Sequence, residues 1–579
     1  MYAAESFLLR TSIVLGLVAA VVTILYLSPM PDQFFKSCDR PCHELDWPMI
    51  CRVKLNIDSY KSSKSNCLNK TDCDDWPKDT QYGFSLANNL VHGPSIHVCE
   101  NDVLIVDVVN RLPGNAISIH WRGQKQTESP FMDGVPMVTQ CPINSYTTFQ
   151  YRFRAASAGT HLWHAHARSE LAQGIFGALV VRKAAKLDKQ RKLYDFDDKS
   201  HLIVISQTQD LSTNSRKLLV NGKSSDEEFK VKRGKRYRFR VAFGGGINIC
   251  PVTVSIEDHL MKIISLDGTP IHPNEVKSFT LTKGERLDFV IKASKSAGRY
   301  KIKAEGHCTS TVEAFLRYND EGFYHREDES DVGMEMRGFT TGLCESRIGQ
   351  VCLNDVQAVK KLPKVLRHDA DKTIYLPFDY ALLESQKDFE KIYRMGNITF
   401  TYPPSPLLTQ YEDVQTDSIC STEQMPKRCK SQEICECVHV ESVPLGSTVE
   451  LVLISRGADP IESVFHLHGY SFYVLASRTF KRPLSLEEVK ELDAKGSLFK
   501  RNYVSPIEKD TIRVPENGVV ALRFVADNPG FWMLRDENSN RWTRGMDVIF
   551  HVGKREDIPD TPANFPTCGS WIGPDFFLI

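Results

Sequence analysis

Three features of the 579-residue chain predict an all-β protein made of three consecutive Greek-key β-sandwich domains. The first is an internal repeat: FQYRFRAASAGTHLW at 149–163, RLDFVIKASKSAGRY at 286–300 and VVALRFVADNPGFW at 519–532. Each runs from an alternating apolar/polar stretch through an alanine and a glycine turn into a bulky strand start. The second is length, since a chain this long divides into about three cores. The third is the scarcity of helical periodicity; LSLEEVKEL at 484–492 has the spacing of a short helical insert.

In chain order, Arg10 precedes an uncharged apolar run at 11–27, with Ser28-Pro29-Met30-Pro31 after it and no small-x-small cleavage site. The run exceeds the usual signal-peptide core, which favours an uncleaved signal anchor over a cleaved signal. Either reading places the rest of the chain in the secretory pathway, at the plasma membrane in type II orientation or released outside the cell. The sixteen cysteines agree, because an oxidising compartment lets them pair. Cys38, Cys42, Cys51, Cys67 and Cys73 crowd the start and predict a disulfide-stapled cap. Asn69 and Asn397 head glycosylation sequons. Boundaries follow at 1–30 for the tail and apolar segment, 31–80 for the cap, and 81–186, 187–345 and 346–579 for three domains. Charged stretches at 183–200 and 319–337 read as linkers. A long loop over about 401–440 holds Cys420, Cys429, Cys435 and Cys437; disulfides suit it better than zinc, for lack of partner pairs at zinc spacing. Lysine plus arginine equals aspartate plus glutamate at 72 each, so no net field favours nucleic acid.

The stretch NPGFWMLRDENSNRWTRGM at 528–546 resembles the last copper-binding motif of the laccase-type multicopper oxidases. Asn528, Pro529, Gly530, Phe531, Trp532, Gly545 and Met546 match its frame. IHWRGQKQ, THLWHAHA and VFHLHGYSF resemble the other three motifs, and the cysteine-rich start is similar to that of the insect branch. The resemblance implies three cupredoxin-like domains. It also implies a blue copper that takes electrons from substrate and, further in, three coppers held by eight histidines.

Carried over residue by residue, the resemblance retains His120, His164, His166, His466 and His468 as residual ligands. Arg122, Arg535 and Glu537 stand where it has trinuclear histidines. Ser463, Asp536 and Arg541 replace the blue-copper histidine, cysteine and histidine, leaving only the axial Met546. The implied reading is a catalytically inactive, extracellular or cell-surface relative with a binding or scaffolding role. Its partner would be an unnamed protein or extracellular ligand, besides the membrane at its N-terminal segment. No cofactor is expected, or at most one loosely held copper on His120 and His466. The alternatives are a residual oxidase of phenols or ferrous iron, and a single-copper protein. The same assignment implies that Arg122 pairs with Glu537 and Asp536 with Arg541, each pair standing in for a lost metal. It also implies a Cys141–Cys568 disulfide, with Cys250 and Cys308 then pairing in the second domain.

Overall fold

The computed structural model describes residues 2–27, 37–61, 83–166, 174–210, 215–246, 250–319, 337–344, 348–384, 389–430, 434–457 and 462–569. Strands dominate, because β-branched and aromatic residues alternate with polar ones between glycine and asparagine turns. Each sequence repeat folds as strand, turn and strand. In the first, Thr148–Arg154 is followed by Gly159–Ala165. In the third, Gly518–Val525 is followed by Gly530–Asp536. Gly159 and Gly530 have φ of 144° and 155°, where a side chain would be strained.

The strands that build the site are β1 (Ile119–Arg122), β2 (Gly159–Ala165) and β3 (Phe176–Arg182) of the first domain. The second domain supplies β4 (Arg236–Phe243) and β5 (Arg286–Lys292). The third supplies β6 (Ser463–Leu467), β7 (Thr511–Val514), β8 (Gly530–Asp536) and β9 (Asp547–Val552). In the first domain a four-stranded sheet ending in β3, β2 and β1 faces a second four-stranded sheet. Six- and seven-stranded sheets form the second domain. In the third, one continuous path of strands includes β9, β8, β6 and β7 as successive neighbours.

The domains share their cores. One buried cluster joins Phe239 and Phe289 of the second domain to Phe465 and Trp532 of the third. Another joins Trp121 and Trp163 of the first to Phe531 and Met533 of the third. Burial of this kind removes large apolar surfaces from water and holds the three sandwiches around one centre.

Some expectations change. The strand Ile50–Lys61 pairs in parallel with Val103–Asn110, so these residues complete the first sheet rather than forming a separate cap. Cys38–Cys51 and Cys42–Cys99 staple the preceding segment to it. Cys67, Cys73, Asn69 and most of the 319–337 linker lie outside the described residues. Cys141 bonds Cys568 with a Cα–Cα distance of 5.9 Å, and Cys250 bonds Cys308 at 6.0 Å. The 401–440 loop is bridged by Cys420–Cys437 and Cys429–Cys435. Asn397 is exposed. The insert forms a helix at Leu486–Ala494, capped by Ser485 and Glu488. The N-terminal apolar run is helical over Tyr2–Leu27 (helix α1). Its described side chains, 10–23, are all exposed. Among the described residues no helix is long and apolar enough to cross a membrane, so the expected anchor does not follow from them.

Candidate metal centre

β1, β2, β6 and β8 converge where the first and third domains meet. His120 comes from β1, His466 from β6 and His468 from the turn after it. One ring nitrogen from each lies within 4.8 Å of the other two, and all three rings are buried. The sequence anticipated His120 and His466 as a pair; the fold adds His468, whose ring centroid is 3.8 Å from that of His120.

Each ring is held by its Nδ1. His120 Nδ1 donates to the Asp133 carbonyl at 2.8 Å and His466 Nδ1 to the Asp510 carbonyl at 2.9 Å. His468 Nδ1 lies 2.8 Å from Asp133 Oδ2. A hydrogen on Nδ1 leaves Nε2 of the neutral ring as a lone pair, the state that ligates metal. His120 Nε2 and His466 Nε2 face each other at 3.1 Å. Burial first, then the Arg122 charge, lowers His466 to about 4, so the pair cannot share a proton from that ring at neutral pH. Asp133 is fully buried, which opposes its charge, yet His468 and His120 hold its carboxyl well below the usual range.

The position that the resemblance assigns to the blue copper is filled differently. Arg541 Nη1 donates to Ser463 Oγ at 2.7 Å and to Asp536 Oδ2 at 3.2 Å. Ser463, Asp536 and Arg541 are 3%, 0% and 1% exposed. Burial pushes the Asp536 carboxyl up, against the pull of Arg541.

The remaining two positions also hold guanidinium groups. Arg122 bonds Glu537 and donates to Thr511 Oγ1 at 2.9 Å. Arg535 binds Asp547 through Nε at 3.1 Å and Nη2 at 2.9 Å, bonds Tyr402, and stacks 4.1 Å above the Trp542 ring centroid. Its Nη1 donates to His166 Nδ1 at 3.2 Å. His164 and His166 are neutral: burial lowers both far below their usual value, helped by Arg122 for the first and Arg535 for the second.

The fold also enlists residues that the motifs do not mark. Lys283, from the turn before β5, donates to the Glu537 carbonyl at 3.2 Å. Arg286 forks onto Asp510, binding Oδ1 at 2.7 Å, and so braces the carbonyl that orients His466. Lys509 lies 3.0 Å from Asp267 and 3.3 Å from Glu285. Asp133 lies in the stretch between His120 and Cys141, where no motif singled it out. Lys283, Arg286 and Asp547 had no signal in the sequence either, because their partners belong to other domains or to an unassigned strand register.

Family descriptions of multicopper oxidases match three segments, residues 74–186, 192–325 and 400–556. The chain belongs to the multicopper oxidase family. It is similar to Laccase-3 of Oryza sativa subsp. japonica, 26% identical over 546 residues covering 83% of this chain and 91% of that protein. To Laccase-2 of Botryotinia fuckeliana it is 27% identical over 520 residues, covering 84% and 81%. In fold it resembles Fet3p, described as a multicopper oxidase that functions in iron import: TM-score 0.66, 18% identity, 88% and 92% covered. The laccase from Botrytis aclada gives a TM-score of 0.64 at 22% identity, with 89% of each chain covered.

These findings correct the expectation of no cofactor. Family and laccase relatives alike point to copper. The donor set then decides where copper fits this chain. Three buried imidazoles with anchored Nδ1 atoms suit it at His120, His466 and His468. A guanidinium paired to a carboxylate offers no lone pair and opposes a cation, so the positions around Arg541, Arg122 and Arg535 do not fit.

Proposed function

We propose that this chain is a copper-holding member of the multicopper oxidase family that does not carry out laccase turnover and acts in binding, within the secretory pathway or outside the cell. One observation carries the reading: His120 Nε2 and His466 Nε2 face each other at 3.1 Å inside a buried three-histidine set. Convergent imidazole nitrogens whose other ring nitrogen is anchored are the donor type that copper takes as ligands. His120, His466 and His468 would hold that copper, and the bound ion would supply Lewis acidity and a link between the first and third domains. The loss of turnover rests on Asp536, where the family has the thiolate that passes electrons inward, and on Arg541, whose charge occupies that position.

Entry into the secretory pathway is supported by seven disulfides among the described residues and by the apolar helix α1, where Leu15 and Leu17 are 64% and 62% exposed. Metal analysis of the purified chain and of His466→Ala, with visible spectra and phenol oxidation on the same samples, tests the reading. Copper that disappears with His466, without blue colour or turnover, is the expected result. A thiolate-to-copper band or sustained phenol oxidation sinks it.

A further inference from the structure

The strands Phe389–Met395 and Ile398–Phe400 are joined by a two-residue turn, Gly396 and Asn397, with φ of 62° and 65°. Positive φ at both positions makes this a type I′ turn, which by itself accounts for a glycine and an asparagine there. Gly396 can be nothing larger, because an added Cβ would meet the Thr422 methyl. Asn397 is exposed. Arg456 Nη1 donates to its Oδ1 at 3.3 Å, which leaves Nδ2 without a hydrogen bond among the described residues.

Thr399, two residues on, is not explained by the turn. It is 5% exposed, its methyl lies against Gly545, and its Oγ1 is buried without a hydrogen-bond partner. A valine would fill the same space without burying a hydroxyl, so the fold gives no reason for threonine. The triplet Asn397-Ile398-Thr399 gives one, since the hydroxyl is the third element of an N-glycosylation acceptor.

Beside Asn397 a cleft of about 210 Å³ opens between this hairpin and helix α2 (Leu486–Ala494). Tyr375, Pro377, Met425 and Leu486 give it apolar walls, and Glu441 and Lys490 polar ones. The Tyr375 hydroxyl donates to Asp493 Oδ2 at 2.8 Å, which holds its ring in the wall. An aromatic ring beside hydrogen-bonding groups suits a sugar, which has C–H faces and hydroxyl edges.

We propose that Asn397 carries an N-linked glycan whose first N-acetylglucosamine lies in this cleft, against Tyr375 and Leu486. Attachment joins Nδ2 to the anomeric carbon of a sugar carried on a lipid pyrophosphate. The pyrophosphate leaves with the electron pair of the broken C–O bond, and Nδ2 gives up one proton. Because Thr399 is buried in the folded chain, attachment precedes closure of the hairpin. The proposal rests on the reading that the chain enters the secretory pathway, where such donors are met.

The full chain made in cultured animal cells tests it. Sealed microsomes report entry, as protection of the chain from added protease. Peptide mapping after glycosidase release in heavy-oxygen water, which turns a glycosylated asparagine into labelled aspartate, should find the label at position 397. Thr399→Val, which leaves Asn397 in place, should lose the label, and Thr399→Ser should keep it. The glycan should come off the folded chain about tenfold more slowly than off the unfolded chain, and Tyr375→Ala should remove most of that difference. If a variant does not fold, mapping and release on the natural chain decide alone. An unlabelled Asn397 in a protected chain overturns this proposal only, and equal release from folded and unfolded chains overturns the placement of the sugar. A chain open to the protease removes the secretory reading and this proposal with it.

Discussion

The three-histidine cluster and the blue-copper position are equally buried and differently filled. His120, His466 and His468 are 1%, 2% and 2% exposed; Ser463, Asp536 and Arg541 are 3%, 0% and 1%. In the first, imidazole rings are anchored by Asp133 and the Asp510 carbonyl, and a cation would come from outside. In the second, the chain supplies the cation itself, as a guanidinium between Ser463 and Asp536. A buried site lined with acceptors needs something positive to satisfy them. Where the replacing residue is arginine, the position is closed to metal. Where histidines persist with their anchors, it stays open.

The largest effect should come from breaking the closed region. Arg541→Leu leaves the Asp536 carboxylate buried without its partner and should cost about 3–5 kcal/mol in denaturant unfolding, while Arg541→Leu with Asp536→Leu should be near neutral. Since burial already raises the Asp536 pKa, the loss should shrink in acid, where the carboxyl takes a proton. Equal losses for the single and double variants would show that Arg541 acts through its packing and not its charge.

Acid sharpens the comparison from the other side. His466 is lowered to about 4 in the folded chain, against about 6.5 for an unperturbed imidazole. Below 6.5 the unfolded chain takes up a proton that the folded ring refuses, so stability is fully present above that pH. It is lost as the pH falls towards 4, by up to about 3 kcal/mol from this ring alone. Copper should be released only as the pH falls to about 4 and below, where the folded ring takes the proton, because protonated Nε2 cannot ligate. A flat stability profile between 6.5 and 4 would exclude His466 as a buried neutral ring.

Copper itself should stabilise the open region. At a concentration 100 times its dissociation constant, it should add about 2.7 kcal/mol, read as a concentration-dependent rise in Tm that His468→Ala reduces. A rise of the same size in His120→Ala would place the metal elsewhere. The smallest effect should be Ser463→Ala, which removes one acceptor from Arg541 but leaves Asp536. A loss of about 1.5 kcal/mol is expected, and no change would mean that water replaces the hydroxyl.

Much of this contrast was legible in the chain because the family frame around each motif is unbroken. Trp121, Trp163 and Trp532 fill the core where the frame places them, each 0% exposed, so neighbouring positions could be assigned by counting. Cys141 and Cys568, which are 427 residues apart, were likewise named from the frame. The partners of Arg535 and Lys283 were not. Arg535 meets Asp547 because those two residues are opposite in the β8–β9 ladder, and one residue of slip would turn Asp547 to the other face.

By itself, the sequence determined the family and the three-sandwich fold, since these depend on local pattern and linear spacing. The family frame also implied that Arg122 meets Glu537 and Asp536 meets Arg541, while the remaining contacts of the centre were decided only by the tertiary structure. His468 joins His120 and His466, Asp133 anchors two rings, and Lys283 is left facing a cavity, because strands from three domains converge there. Electrostatic pairing inside a protein is set by distances of a few ångströms between segments hundreds of residues apart, and no linear pattern encodes those distances.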